Sequence, residues 1–287
     1  MKKIFLSFIL VALFVSCQNN AEKALSGYEK AENGLYYKFY SQNEGDKPQT
    51  YNYVDVIVTC SINDTFEIIP KDRNIIKLTE PMFKGDIYDA FAMMSKGDSA
   101  SFITRTDSTL YTLFGLPTLP SNIKADDITR FEVKLNDFYP ESELMLKQIG
   151  YIKEAYPQET IDAENELVQY LKDNKVDVEP TMSGLYYQKI KEGNGEIPSV
   201  GSFVKVHYTG RLLDGTVFDS SVEAAEPIRF KLGAGEVIRG WDEGIQLMSK
   251  GEKGVLYIPF YLAYVDRQAG IIPPFSTLVF EVELVDF

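Results

Sequence analysis

One histidine, two cysteines and one tryptophan among 287 residues leave little material for most enzyme chemistry. Zinc signatures of the His-Glu-x-x-His or paired Cys-x-x-Cys kind cannot be written with so few ligands. Neither a Gly-x-Ser-x-Gly nucleophile elbow nor a phosphate-binding Gly-x-x-x-x-Gly-Lys-[Ser/Thr] loop occurs. GAGEVIRG (Gly233–Gly240) has the glycines of a dinucleotide loop in the wrong places and lacks a strand–helix–strand setting. Basic residues are also short, 29 Lys and Arg against 42 Asp and Glu, a net charge of −13. Such a surface repels phosphate backbones, so nucleic acid is not an expected partner, and the acidity reads as solubilising. Any chemistry here is expected to need no nucleophile, metal or cofactor. His207, in VKVHYTG, falls on the strand face opposite Tyr208 and reads as structural.

Long apolar runs are missing apart from Ile4–Val15, which is short for a membrane span. It follows two lysines and ends at Phe14-Val15-Ser16-Cys17, so residues 1–17 read as a secretory signal resembling a bacterial lipobox, with Phe14 where Leu is usual. Cys17 would carry the lipid and become the new N-terminus, followed by a tether over 18–25. Gln18 after it points to the outer membrane, facing periplasm or cell surface. Only Cys60 then remains, so no intrachain disulfide is available. Cys60 follows the apolar alternation of a strand and reads as a buried small hydrophobe.

Apolar residues are plentiful, 45% of the chain with 18 Tyr and 18 Phe, enough for two cores. A repeat organises them. GLYYKFY (Gly34–Tyr40) returns as GLYYQKI (Gly184–Ile190), MSKG at Met94–Gly97 returns at Met248–Gly251, and TRFEVKLNDF (Thr129–Phe138) returns as TLVFEVELVDF (Thr277–Phe287). Three anchors in one order, each about 150 residues apart, predict two copies of one fold, 26–140 and 181–287. Val204, Val206 and Tyr208 share a strand face, as do Leu278, Phe280, Val282 and Leu284, and Asp214-Gly215 marks a hairpin. Trp241, Ile245 and Met248 share a helix face, with Gly251 suited to end the helix. The fold class is α+β, each copy a bent antiparallel sheet around a short helix. Residues 141–180 read as a helical connector. One helix starts near Ser142 with Met145, Ile149 and Ile152 on a face. A second runs from about Thr160, its candidate cap, to Asn174, with Gly150 and Pro157 as breaks. The connector reads as a spacer, with a dimerising arm as the alternative.

VKVHYTGRLLDGTVFDSS, EVIRGWDEGIQLMSKGE and AGIIPPFSTLVFEVELVDF stand in family order, and residues 181–287 resemble an FKBP-type peptidyl-prolyl cis-trans isomerase domain. The lead-in TMSGLYYQKIKEGNG resembles that of members similar to the macrophage infectivity potentiator group. The resemblance implies a catalytic pocket of Tyr208, Phe218, Asp219, Trp241, Tyr264 and Phe280, with Val237, Ile238, Ile272 and Ile228 binding substrate. It places the substrate proline on the Trp241 indole and gives the Ile238 N–H to a ligand carbonyl. The chain departs from the family at Val222-Glu223-Ala224, where a basic residue is common. It has Ile228 where an aromatic is common, and a shortened 265–270 loop, VDRQAG, without the family's glycine. The first copy has Val58 for Tyr208, Glu67 near Asp219 and Ile87 or Tyr88 for Trp241, so it is expected to be a degenerate FKBP-like domain without isomerase chemistry. The implied function is a membrane-anchored prolyl isomerase acting on proline-containing unfolded or exported polypeptides. The alternative is a peptide-binding chaperone lipoprotein with little or no turnover. Homodimerisation through the connector or the N-terminal copy is a further expectation.

Overall fold

The computed structural model describes residues 24–124, 126–222 and 226–287. The stretch read as a secretory signal, with Cys17, lies outside these residues, as do Glu223 and Ala224. The chain divides after Leu144 into two compact units, each built on antiparallel strands.

In the first unit the strands are β1 (Glu29–Lys30), β2 (Tyr36–Ser41), β3 (Tyr53–Ile62), β4 (Phe66–Lys77), β5 (Ser99–Arg105) and β6 (Ile128–Tyr139), in the order β1-β2-β5-β6-β3-β4. Alternation along β3 sends Val54, Val56, Val58 and Cys60 to one face, where they are buried with Phe131, Val133 and Leu135 of β6. Helix α1 (Ile87–Phe91) covers that face with Ile87, Ala90 and Phe91. Asp86 caps it, its carboxylate accepting from the Tyr88 and Asp89 N–H groups. Burial pushes the Cys60 thiol up to about 12, so it is an inert apolar filler. The edge strand β4 carries Pro70 where its pairing with β3 slips register.

The second unit holds β7 (Tyr186–Lys191), β8 (Phe203–Leu212), β9 (Val217–Ser220), β10 (Ile228–Lys231), β11 (Lys253–Ile258) and β12 (Leu278–Asp286). Their order is β10-β8-β12-β11-β7, with β9 beside β8. The sequence β2-β5-β6-β3-β4 in the first sheet therefore matches β7-β11-β12-β8-β10 in the second. The repeat extends to single hydrogen bonds. Ala31 and Gly34 donate to Leu35 and Ala31, as Thr181 and Gly184 donate to Leu185 and Thr181. Gly97 donates to Leu135 and Leu135 to Asp98, as Gly251 donates to Leu284 and Leu284 to Glu252. The Asp98 carboxylate takes the Ser95 N–H at 2.7 Å and the Glu252 carboxylate takes the Ser249 N–H at 3.1 Å. One difference stands out: β4 runs unbroken for 12 residues, where the second sheet divides it into β9 and β10.

In this second unit the helix α4 (Arg239–Gln246) packs against one face of the sheet. Trp241, Ile245 and Met248 are buried with Val204, Val206, Phe280, Val282 and Leu284, as their spacing predicts. Each large apolar side chain so buried contributes about 1.5–3 kcal/mol. The helix stops earlier than Gly251, which instead takes a positive φ of 81° in the turn leading to β11.

The connector differs from the sequence reading at its breaks. Gly150 lies inside α2 (Glu141–Ala155) and does not interrupt it. The second helix, α3 (Pro157–Asp173), begins with Pro157 at its first turn, because a missing N–H costs nothing there. Thr160 is therefore inside the helix, its hydroxyl donating back to the Tyr156 carbonyl at 2.7 Å, and does not cap it. Ile149 and Ala163 belong to the core of the second unit. Leu167 and Leu171 cover Tyr257 and Val279 on the outer face of its sheet. Leu167 is 1% exposed, so Leu167→Ala should cost about 2–5 kcal/mol. Urea unfolding followed by Trp241 fluorescence, which reports the second unit alone, measures this; an unchanged midpoint would show α3 to be peripheral.

Candidate functional site

A cavity of about 540 Å³ opens between α4 and the second sheet. Its floor is Trp241, 4% exposed. The indole sits there because α4 approaches the sheet closely: a Cβ on Gly240 would lie 2.5 Å from Ile258, and one on Gly244 would lie 2.5 Å from Leu256. Rings stand around the indole edge to face, Tyr208 at 4.9 Å and 83° and Phe280 at 5.2 Å and 85°. Phe218 meets Phe280 at 5.4 Å and 80°. These geometries match the preferred quadrupole arrangement of aromatic pairs and fix the ring positions. Gly210, facing Phe280 across the β8–β12 pairing, leaves space that a side chain would take from Phe218 and Phe280.

The strands and loops bring all ten residues singled out in the sequence to this cavity. Tyr208 comes from β8, Phe218 and Asp219 from β9, Ile228 from β10 and Phe280 from β12. Val237, Ile238 and Trp241 come from the start of α4, and Tyr264 and Ile272 from the loop between β11 and β12. Glu236, Ala269, Gly270 and Ile271 also line it and were not singled out. Their signal was adjacency: Glu236 precedes Val237 in EVIRGW, and the others abut Ile272 in AGIIPP. His207 points away, its Nδ1 3.1 Å from the Ser221 hydroxyl. Ser221 also accepts the Tyr208 N–H at 2.8 Å, which ties the end of β9 to the middle of β8.

Polar groups in the cavity are few. Tyr208 donates its hydroxyl to Asp219 Oδ2 at 2.5 Å. The Trp241 indole N–H is buried without a partner. Ile238 sits at the N-cap of α4, and among the described residues its N–H finds no acceptor. Unpaired donors at a helix N-terminus suit an acceptor on a ligand. No group of three or more His, Cys, Asp or Glu side chains among the described residues is arranged to hold a metal ion.

A model of the FKBP-type peptidyl-prolyl cis-trans isomerase family matches residues 194–285, the stretch that contributes the whole cavity. The chain is 58% identical over 99 residues to FK506-binding protein 1 of Dictyostelium discoideum, covering 34% of this chain and 92% of that protein. The chain belongs to the FKBP family. It is also 53% identical over 122 residues to the FKBP-type 22 kDa peptidyl-prolyl cis-trans isomerase of Escherichia coli, covering 42% of this chain and 58% of that protein. To the macrophage infectivity potentiator of Trypanosoma cruzi it is 50% identical over 105 residues, covering 36% and 53%. The chain thus spans little more than half the length of these last two relatives.

The Tyr208 hydroxyl is held above the ordinary phenol value of 10.0, first by burial and then by the Asp219 carboxylate. Both causes disfavour the phenolate, so the hydroxyl remains a donor throughout the neutral and mildly alkaline range. In an ultraviolet pH titration, the phenol lost in Tyr208→Phe should be one that ionises above pH 10.0. Loss of a phenol ionising below that value would contradict the buried, paired geometry.

Proposed function

We propose that the second unit catalyses cis-trans isomerisation of X-Pro peptide bonds in unfolded or exported polypeptides. The observation that carries this is the ring-walled cavity over Trp241, with the unpaired Ile238 N–H at its edge. Rotation about an amide loses C–N double-bond character, a barrier of about 18–20 kcal/mol, and X-Pro bonds exchange in tens to hundreds of seconds. The planar amide is the more dipolar state and is better solvated by water than the twisted one. An apolar cavity withdraws that solvation from the ground state while the proline ring packs on the indole. Only interactions stronger at the twisted geometry raise the rate. The Ile238 N–H orients the substrate carbonyl, and the Tyr208–Asp219 pair fixes the opposite wall. No proton is transferred, so no titrating acid or base is required.

The first unit is read as an FKBP-like domain without this chemistry, the two joined through the helices of residues 141–180. Val58 pairs with Val133 as Tyr208 pairs with Val282, so an aliphatic residue stands at the Tyr208 position. Counted back from the shared Met-Ser-Lys-Gly turn, Ile87 falls at the Trp241 place; it is 5% exposed. Ile69 pairs with Cys60 as Asp219 pairs with Gly210, so Ile68 and Ile69, not Phe66 and Glu67, stand at the Phe218 and Asp219 positions, and both pack against the first unit's core. Leu113 and Phe114 pack against the core from the loop after β5.

Anchoring through a lipid on Cys17 completes the proposal. Among the described residues no helix is long and apolar enough to cross a membrane. Each buried acyl CH₂ contributes about 0.8 kcal/mol, so several chains make a stable anchor. Cys17→Ser should move the chain from the membrane fraction to the soluble fraction; unchanged partitioning would refute the anchor.

Turnover is tested with a proline tetrapeptide and the full chain. Trp241→Ala should lower kcat/KM by about tenfold or more, a loss of at least about 1.4 kcal/mol of transition-state binding. A folded Trp241→Ala variant with undiminished kcat/KM would end the isomerase reading, and so would a wild-type chain that binds the peptide without accelerating its isomerisation.

A further inference from the structure

Two residues of the loop that supplies one wall of the cavity, themselves outside its lining, adopt backbone shapes that their side chains resist. Val265 and Phe275 lie in the left-handed region, with φ of 58° and 60°. For a β-branched residue this is a steric outlier, and such outliers persist only where the surroundings over-determine them. They bracket the segment that gives the cavity Ala269, Gly270, Ile271 and Ile272, and Val265 directly follows Tyr264. The Phe275 N–H donates to the Val265 carbonyl at 2.8 Å, so the two strained positions are tied together.

The element that holds them is the bend between α2 and α3. The Tyr156 ring lies 5.1 Å from the Phe275 ring, and Phe275 lies 5.4 Å from Phe260 in the core. The Tyr156 hydroxyl donates to Asp266 Oδ2 at 2.7 Å, directly after Val265. On the other wall, Gln148 of α2 accepts from Arg239 at 2.9 Å. Arg239 is the first residue of α4, next to Ile238. The bend at Tyr156 thus touches the loop carrying Tyr264, and the middle of α2 touches the helix start carrying Ile238 and Trp241.

We infer that Tyr156 is a positioning residue of the cavity: through Phe275 and Asp266 it holds the strained 264–275 loop in the shape that forms the cavity wall. Its catalytic readout rests on the isomerase reading above; its conformational readout does not. The strain makes a specific demand. If Tyr156 serves to keep Val265 left-handed, the need for Tyr156 should shrink when residue 265 no longer resists that shape, which glycine does not.

The experiment is a double-mutant cycle in the full chain between Tyr156→Ala and Val265→Gly, read by kcat and KM on a proline tetrapeptide and by amide hydrogen exchange. Tyr156→Ala is expected to raise KM about tenfold with kcat changed less than twofold, and to speed exchange of the Phe275 amide while the β12 amides keep their protection. In the Val265→Gly background the same substitution should raise KM no more than about threefold. An equal loss in both backgrounds, or a Phe275 amide that exchanges as in the wild type, would overturn the inference. If Tyr156→Ala does not fold, Tyr156→Phe, which keeps the ring and loses only the Asp266 bond, should raise KM two- to threefold; an unchanged KM would overturn it. A wild-type chain without turnover would fell the isomerase reading, and the exchange data would then decide this inference alone.

Discussion

The close approach of one short helix to one sheet is the constraint on which the candidate site depends. Gly240 and Gly244 face Ile258 and Leu256 with no space for a side chain. A helix held further out would lift the indole away from Tyr208 and Phe280 and spread the ring contacts that define the cavity. Two missing methyl groups therefore set the depth of the pocket. The same approach places the first N–H of the helix at the cavity edge, so apolar floor and polar edge come from one packing decision.

The two units share strand order and turns while the residues at the cavity positions differ. Strand order and the hydrogen bonds of the turns recur, down to a carboxylate that closes the Met-Ser-Lys-Gly turn. Those bonds satisfy buried backbone groups that any sequence in this fold must satisfy. The cavity residues carry no such backbone duty, and they differ: Val58 pairs with Val133 where Tyr208 pairs with Val282. The unbroken β4 is a second difference.

Much of this was legible in the sequence because it lay in contiguous stretches. Alternation in VKVHYTGRLL and the spacing of Trp241, Ile245 and Met248 report burial directly, and all of the ten expected pocket residues but Ile228 and Tyr264 stand inside the three long motifs. The connector was legible as two helices but not in detail. Proline at a helix start competes with threonine as a cap, and Pro157 prevailed over Thr160. Gly150 is tolerated mid-helix because the packed face is supplied by Met145, Ile149 and Ile152. Nothing in the local pattern could show that Tyr257 and Val279, on the outward face of their strands, are roofed by Leu167 and Leu171. Nor could it pair Tyr156 with Phe275, because a contact between distant single aromatics leaves no periodic trace.

The edge strand β4 has a consequence for how the first sheet meets other chains. Strand edges invite further strands by offering unpaired N–H and C=O groups in a row. Here Pro70 removes a donor at the register slip, and Lys71, Asp72 and Arg73 follow it with charge. An extended segment seeking to continue the sheet finds a broken template. The border of the first sheet is therefore guarded against seeding a fibre.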